Sequence, residues 1–199
     1  MDLNATMTLE HASVIRPRLG EKVSGDAVVI RPIDGGIFAA IVDVLGHGPE
    51  AHQLALTIGE YLSRYGSSDI SGLMTRLHQH VKGSRGAVAG LCAIDAAAGR
   101  AVYAGTGNTV LRRFGKTENR LVSHDGLLGQ NMRTPRPQNL DLEAGDLILL
   151  YTDGVRDRFT SDDYPSIYHH SPEDVARTVV ERFGKDYDDA ACIAVRYGA

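Results

Sequence analysis

The clearest structural pattern in the chain is AVVIRPIDGGIFAAIVDVLGHGPE, residues 27–50. It contains two apolar runs, Ala27–Ile33 and Ile37–Leu45, which are joined by Asp34-Gly35-Gly36, a sequence typical of a hairpin turn. A proline then stands where a helix would begin, and apolar residues recur at helical spacing beyond it. The segment predicts an antiparallel hairpin that leads into a helix over residues 49–65.

The same periodicities continue on both sides of this segment. A strand over Leu9–Ile15 precedes it, so that three antiparallel strands are expected at the start, and a second helix is expected from Ile70 to near Gly83. Ser171 and Pro172 are a capping residue and a first-turn proline, and they predict a third helix. Further strands are expected at Ala87–Ile94, Ala101–Ala104, Thr109–Phe114 and Arg120–Ser123, which read as a meander, and at Leu147–Tyr151 and Ala190–Tyr197.

Two groups of strands with separate helices favour an α+β architecture, in which two mainly antiparallel sheets pack face to face and helices cover the outside. The chain has 199 residues, a length that fits one domain, so we expect residues 1–199 to form a single domain. The segments 124–139 and 157–170 show no clear period, and the first is predicted to be a long surface loop.

Charge and composition exclude several classes of protein. With 21 basic and 25 acidic residues the formal net charge is −4, which argues against nucleic acid as a partner. Residues 1–4 lack the layout of a signal peptide, and no apolar run approaches the roughly 20 residues that cross a bilayer. Cys92 and Cys192 lie inside apolar runs, which is typical of core residues. We expect a monomeric cytoplasmic protein with no membrane partner.

Aspartates occupy the ends of the predicted strands. Asp43 and Asp153 end or follow apolar runs, whereas Asp26 and the pair Asp188 and Asp189 precede others. Because antiparallel neighbours run in opposite directions, these carboxylates can gather at one rim. Carboxylates packed closely repel one another unless a cation compensates, and an all-oxygen site suits magnesium or manganese. The alternative is that acids at strand ends only solvate turns.

The acidic segments, taken in order, resemble the metal-dependent protein phosphatases of type 2C, and in particular their bacterial SpoIIE branch. The segments are Ser24-Gly25-Asp26, Val42–Gly48, Leu149–Val155 and Asp188–Ala191, with weaker matches at Ala104–Asn108 and Gly126–Gly129. The resemblance spans nearly the whole chain. Within the branch, a chain this short is most similar to the stand-alone phosphatases of the stressosome.

This resemblance implies a four-layer αββα sandwich and two divalent cations, manganese or magnesium. It implies that Asp43 bridges the two ions, that Asp153 and Asp188 bind one of them, and that Asp26 and the Val44 carbonyl bind the other. Asp43 and Asp153 would be the central catalytic residues. Asp189 lies one place beyond the expected ligand and is either a further metal ligand or a support for the site.

The activity implied is removal of phosphate from serine or threonine of a partner protein by a water that bridges the two metals. The partners implied are phosphorylated scaffold proteins of a stressosome-type complex. The segments 124–139 and 157–170 of this chain are expected to recognise the shape of these partners. Two alternatives are a catalytically silent adaptor of the same fold and a two-metal nuclease or phosphodiesterase. The intact acidic positions weigh against the first, and the net charge weighs against the second.

Several other polar residues have weaker interpretations. His47 is a candidate for capping the helix start or for donating a proton to the leaving oxygen. Arg16, Arg18 and Arg156 are candidate phosphate contacts. The pairs His78 with His80 and His169 with His170 lack the spacing of metal ligands and are expected to be solvated at the surface. Those two pairs are not expected to carry chemistry.

Overall fold

The computed structural model describes residues 7–198, so the segment 1–4 considered above lies outside the described residues. The strands are β1 (Thr8–Arg16), β2 (Asp26–Ile33), β3 (Gly36–Val44), β4 (Ala87–Asp95), β5 (Arg100–Thr106), β6 (Val110–Phe114), β7 (Asn119–Val122), β8 (Gln138–Asp141), β9 (Leu147–Tyr151) and β10 (Ala190–Gly198). The helices are α1 (Gly48–Tyr65), α2 (Ile70–His80) and α3 (Pro172–Phe183), with a short 3-10 helix over Pro165–Tyr168. Within residues 7–198, no helix is both long and apolar enough to cross a membrane.

The strands form two five-stranded sheets. One has the order β1-β10-β9-β6-β7 and the other the order β2-β3-β4-β5-β8, and neighbouring strands are antiparallel throughout. The two sheets pack against each other, α1 and α2 cover the outer face of the second sheet, and α3 covers the outer face of the first. The predicted α+β sandwich with an αββα layer order is confirmed.

Strand β3 shows why the sequence of a central strand is almost continuously apolar. Phe38, Ala40 and Val42 point to the helical layer, where they pack with α1 and α2. Ile37, Ala39 and Ile41 point to the other sheet. Because successive side chains alternate between the two faces, a strand buried on both faces needs apolar residues at nearly every position.

Two predicted connections between strands were wrong. Strand β1 does not pair with β2 but with β10 in the other sheet, and the expected meander is divided, since β4 and β5 lie in one sheet and β6 and β7 in the other. The chain crosses between the sheets at Gly107, which has a φ of 85°, and β6 then pairs with β9. The local pattern defines each strand, whereas sheet membership depends on hydrogen bonds between segments far apart in the chain.

The two segments without periodicity differ from a simple surface loop. Strand β8 begins inside the segment 124–139, and it escapes detection because Leu140 is the one buried side chain of its four residues. In the segment 157–170, Phe159, Tyr164 and Ile167 are buried in the outer core beneath α3. Most of that segment therefore belongs to the outer layer of the first sheet.

The turn after β9 generates a prediction about stability. A Cβ atom at Gly154 would collide with the backbone carbonyl oxygen of Asp189, which precedes β10, whereas a Cβ at Gly59 in α1 would meet its nearest neighbour at 3.9 Å. Gly154→Ala is expected to lower the free energy of unfolding by about 1–3 kcal/mol, as overpacking does. Gly59→Ala is the control and should raise it by about 0.5–1 kcal/mol. Urea denaturation measures both, and an unchanged stability of Gly154→Ala would contradict the packing.

Candidate metal centre

The β2–β3 hairpin places two carboxylates opposite each other at its open end. Asp26 is the first residue of β2 and pairs in register with Asp43, the penultimate residue of β3. Asp43 has the same strand parity as Ile37, Ala39 and Ile41, so its side chain points between the sheets. Both carboxylates therefore lie at the rim of the cleft where the two sheets meet.

The first sheet contributes Asp153 and Asp188 to the same rim. Asp153 follows β9 directly, and Asp188 stands two residues before β10, which pairs with β9. The Thr152 hydroxyl joins the two sheets, since it donates to Asp26 Oδ2 at 2.8 Å and accepts from the Ala191 amide at 3.0 Å. The four predicted carboxylates are thus brought together from two sheets.

The electrostatics of this cluster are unfavourable without a cation. Burial, followed by the charge of Asp43, raises the pKa of Asp26 well above its usual value. Burial and then the charges of Asp153 and Asp188 raise the pKa of Asp43 to about 8. The pKa of Asp188 is also raised, by burial and then by Asp153. The shifts have a common cause, which is negative charge held close together and partly removed from water.

The donor set fits a hard divalent cation. Asp26 Oδ1 is buried and has no hydrogen-bond partner among the described residues, so this oxygen is available to an ion. All the donors are oxygens, the ligands that magnesium and manganese prefer. In the part of the chain that is described, no three acidic, histidine or cysteine side chains are placed so that they could hold a metal ion by themselves. An open arrangement suits magnesium, which usually keeps several waters and binds few carboxylates.

Val44 and Asp189, the two other predicted metal ligands, are held in place by different contacts. Val44 ends β3 immediately after Asp43, and its amide donates to the Gly25 carbonyl at 3.1 Å. Asp189 is buried, and its two carboxylate oxygens accept from the amides of Gly25 at 2.7 Å and Arg18 at 2.8 Å. These bonds fasten both ends of the segment 18–25, which leads into Asp26. The geometry gives Asp189 a supporting position behind the cluster.

Two further contacts with residues of the cluster, and one contact next to them, were not identified from the sequence. The Asn108 amide donates to Asp153 Oδ2 at 2.7 Å. The Ser24 hydroxyl accepts from the Asp26 amide at 3.0 Å, and His52 Nδ1 lies 2.8 Å from the Ser24 carbonyl oxygen. Asn108 and Ser24 belong to segments that carry the family resemblance, which was the available signal. His52 lies in the regular pattern of a helix, and the sequence gave no signal for its contact with Ser24.

The other predicted polar residues are engaged elsewhere. His47 does occupy the N-cap position of α1, yet its side chain makes no capping bond, and its Nδ1 lies 2.9 Å from Glu21 Oε1. Arg16 donates to the Lys185 carbonyl at 2.6 Å. Arg18 contributes its backbone amide, and Arg156 is exposed. Among the hydrogen bonds and ion pairs of the described residues, no guanidinium of these three arginines reaches the four clustered carboxylates.

Sequence comparison gives matches to a family and to a curated protein. The family model described as stage II sporulation protein E (SpoIIE) matches residues 33–198. The phosphoserine phosphatase RsbX of Bacillus subtilis (strain 168) is 24% identical over 138 residues, which cover 68% of this chain and 69% of RsbX.

Structural comparison gives the same fold. A chain in a solved structure of the bacterial stressosome is 29% identical, with a TM-score of 0.87 and coverage of 95% of this chain and 100% of that chain. RsbX in complex with magnesium has a TM-score of 0.82 at 19% identity, with 96% of each chain covered. The catalytic domain of the serine threonine protein phosphatase PstP, in complex with two manganese ions, has a TM-score of 0.75 at 15% identity and covers 98% of this chain and 100% of its own.

RsbX and PstP are phosphatases, and the SpoIIE family model matches most of the chain, so the resemblance that the acidic segments carry is confirmed. The family model covers 166 residues of the chain, from 33 to 198. The chain belongs to the SpoIIE family.

Proposed function

We propose that this chain is a single phosphatase domain over residues 1–199 that hydrolyses phosphoserine or phosphothreonine in a partner protein and depends on divalent metal. The observation that carries the proposal is the convergence of four carboxylates from two sheets, with raised pKa values for Asp26, Asp43 and Asp188. Such a cluster is costly to fold unless it binds a cation. The similarity to the phosphoserine phosphatase RsbX supports this reaction.

The proposed ligands are those that the resemblance to the type 2C phosphatases implies. The charge of Asp43 acts on Asp26, and the charges of Asp153 and Asp188 act on Asp43. Asp43 would bind both of two magnesium or manganese ions. Asp153 and Asp188, from the first sheet, would bind one ion, and Asp26 with the Val44 carbonyl would bind the other. Asp189 is proposed as a support rather than a ligand, because both of its oxygens already accept amide hydrogens.

When bound, the ions would supply an acidic water as nucleophile and offset charge on the phosphoryl oxygens. The chain's own groups hold the carboxylates in place for this reaction. Asn108 orients Asp153, and Thr152 orients Asp26 so that its second oxygen stays free. A cysteine nucleophile is disfavoured, since Cys92 and Cys192 are both buried and burial raises the pKa of Cys92 to about 12.

The proposed partners are phosphorylated scaffold proteins of a stressosome-type signalling complex. Two similarities support this choice, one to RsbX and one to a chain in a bacterial stressosome structure. The two free cysteines suit the reducing cytoplasm, which is the proposed place of action. A catalytically silent adaptor would have no use for an unpaired buried carboxylate oxygen such as that of Asp26.

The first prediction concerns metal dependence. Hydrolysis of an aryl phosphate should require added manganese or magnesium and stop with chelator, because carboxylate sites exchange these ions readily. Asp153→Asn should lower turnover by at least about 100-fold. A loss of about 100-fold is the largest that is usual for a residue that only supports a metal ligand. Asp141→Asn, at an exposed carboxylate on β8, is the matched control and should behave as wild type. Full activity of chelated protein would refute the mechanism.

The second prediction separates the adjacent aspartates. Asp188→Ala should abolish turnover and the rise in Tm on adding manganese, with little loss of stability in metal-free protein. Asp189→Ala leaves two amides unpaired and should lower the free energy of unfolding of metal-free protein by about 1–3 kcal/mol or more, with a smaller loss of turnover. Thermal unfolding with and without manganese measures both. The reverse order of effects would make Asp189 the ligand.

The third prediction is a pH dependence of metal-free protein. Asp43 ionises near pH 4 when unfolded and near pH 8 when folded, so between these values unfolding releases a proton. Stability should therefore fall as pH rises from 5 to 8, by at most about 1.4 kcal/mol per pH unit for each proton. Asp43→Asn should flatten this fall and be more stable than wild type at pH 8. Denaturation at each pH tests it, and a wild-type stability that rises over this range would contradict it.

A further inference from the structure

We propose that the side-chain ammonium of Lys185 binds a phosphoryl oxygen of the substrate and is a further catalytic residue of this site. This inference rests on the proposed phosphatase function, which it deepens by naming the cation that holds the transferred group. The three arginines that the sequence offered as phosphate contacts do not reach the clustered carboxylates through any hydrogen bond or ion pair of the described residues. Their expected role is therefore open to another basic residue.

The backbone of Lys185 lies between the two carboxylates that the first sheet contributes. Its amide donates to the carbonyl of Gly154, the residue after Asp153, at 2.8 Å. Its carbonyl accepts from the Asp188 amide at 3.3 Å, which closes a turn from Lys185 to Asp188. Because these two bonds join Lys185 to the segments that bear Asp153 and Asp188, its side chain starts beside the carboxylate cluster.

Further hydrogen bonds fix this turn to its surroundings. The Arg156 amide donates to the carbonyl of Phe183, the last residue of α3, at 2.8 Å. The Arg16 guanidinium donates to the Lys185 carbonyl at 2.6 Å. The side chain of Lys185 therefore extends from a defined position, which lowers the entropy cost of directing its ammonium to a ligand.

The ammonium of Lys185 has no partner among the hydrogen bonds and ion pairs of the described residues, although the side chain is half-buried. Its charge still acts on the cluster. Burial and then Asp153 raise the pKa of Asp188, and the positive charge of Lys185 opposes them. The neighbouring Asp186 is exposed and lies 3.5 Å from Arg16 instead. An ammonium beside the cluster without a fixed partner is available to an anionic ligand.

Other basic residues near the cluster are less suited to this role. Arg18 and Lys22 also have no acidic partner among the ion pairs of residues 7–198, but Arg18 contacts the site through its backbone amide, and Lys22 is exposed. The Arg85 guanidinium lies 3.5 Å from Glu50. Lys185 is the basic residue that is bonded to both acidic segments of the first sheet.

The charge balance of the site gives Lys185 its function. Four ionised carboxylates balance two divalent cations, so the loaded cluster has little net charge with which to attract a phosphate ester. In the proposed hydrolysis a water oxygen bonds to phosphorus, the bond from phosphorus to the serine or threonine oxygen breaks, and a proton of the water ends on the leaving oxygen. Lys185 keeps its protons and donates a hydrogen bond to a non-bridging phosphoryl oxygen, which stabilises the charge there.

Variants of Lys185 test the contact. Lys185→Met removes the charge and keeps the length of the side chain, so kcat/KM for an aryl phosphate should fall by about 10–100-fold, the range for a hydrogen bond to a charged group. The affinity of magnesium-loaded protein for inorganic phosphate, measured by calorimetry, should fall about tenfold or more. Lys185→Gln, a second uncharged variant, should show the same losses. Lys185→Arg keeps a cation that binds phosphate and should recover most of them.

The matched control is Lys116→Met, which removes the same charge in the turn between β6 and β7. Phe114, which ends β6 before that turn, pairs with Leu147, at the opposite end of β9 from Asp153. The kinetics and phosphate affinity of this control should therefore equal those of wild type. The rise in Tm on adding magnesium should be kept in all the variants, because Lys185 is proposed to bind the substrate and not to hold the metal ligands.

Wild-type kinetics and phosphate affinity in Lys185→Met and Lys185→Gln would overturn the proposal. Loss of the rise in Tm in these two variants would also overturn it, since Lys185 would then support the carboxylates. If wild type releases no phosphate from the aryl ester, the proposed function fails. The affinities of wild type, Lys185→Met and Lys116→Met for inorganic phosphate still decide in that case whether Lys185 holds the phosphoryl group.

Discussion

The hydrogen bond from Thr152 to Asp26 joins the two sheets at the rim that carries the site. Thr152 directly follows β9 of one sheet, and Asp26 belongs to the β2–β3 hairpin of the other sheet. Because Thr152 also accepts from the Ala191 amide, its hydroxyl has one orientation, and one Asp26 oxygen is fixed while the other stays free. The convergence of carboxylates from distant parts of the chain depends on this junction.

Holding negative charges together has a cost that the apolar layers must offset. The raised pKa values of Asp26 and Asp43 mean that ionising them in the folded protein is unfavourable. Three separate cores, between the sheets and under the helices on each outer face, provide the burial that opposes this cost. Sites that are strained in this way are common where function requires them, and the surrounding structure maintains them.

The sequence predicts the strands and the layers well because both follow from side-chain periodicity. The run Ile37–Leu45 already indicates a central strand, and the structure has β3 at Gly36–Val44. The partners of β1 and β6 could not be predicted, since sheet membership is set by hydrogen bonds to β10 and β9 far along the chain. Within the candidate site the carboxylates were found from strand ends, but Asn108 could not be assigned a contact without three-dimensional geometry.

Asp188 and Asp189 show why adjacent residues of the same chemistry need the structure to be distinguished. Both residues precede β10, and they differ in their partners, since Asp188 lies close enough to Asp153 to feel its charge, whereas Asp189 accepts from amides of the loop before β2. Asp189 is buried among amide donors, and its bonds to Arg18 and Gly25 connect the loop that bears Leu19 to the residue beside Asp188. The supporting aspartate therefore holds the site together indirectly, because the loop it fastens leads directly into Asp26, one of the four clustered carboxylates.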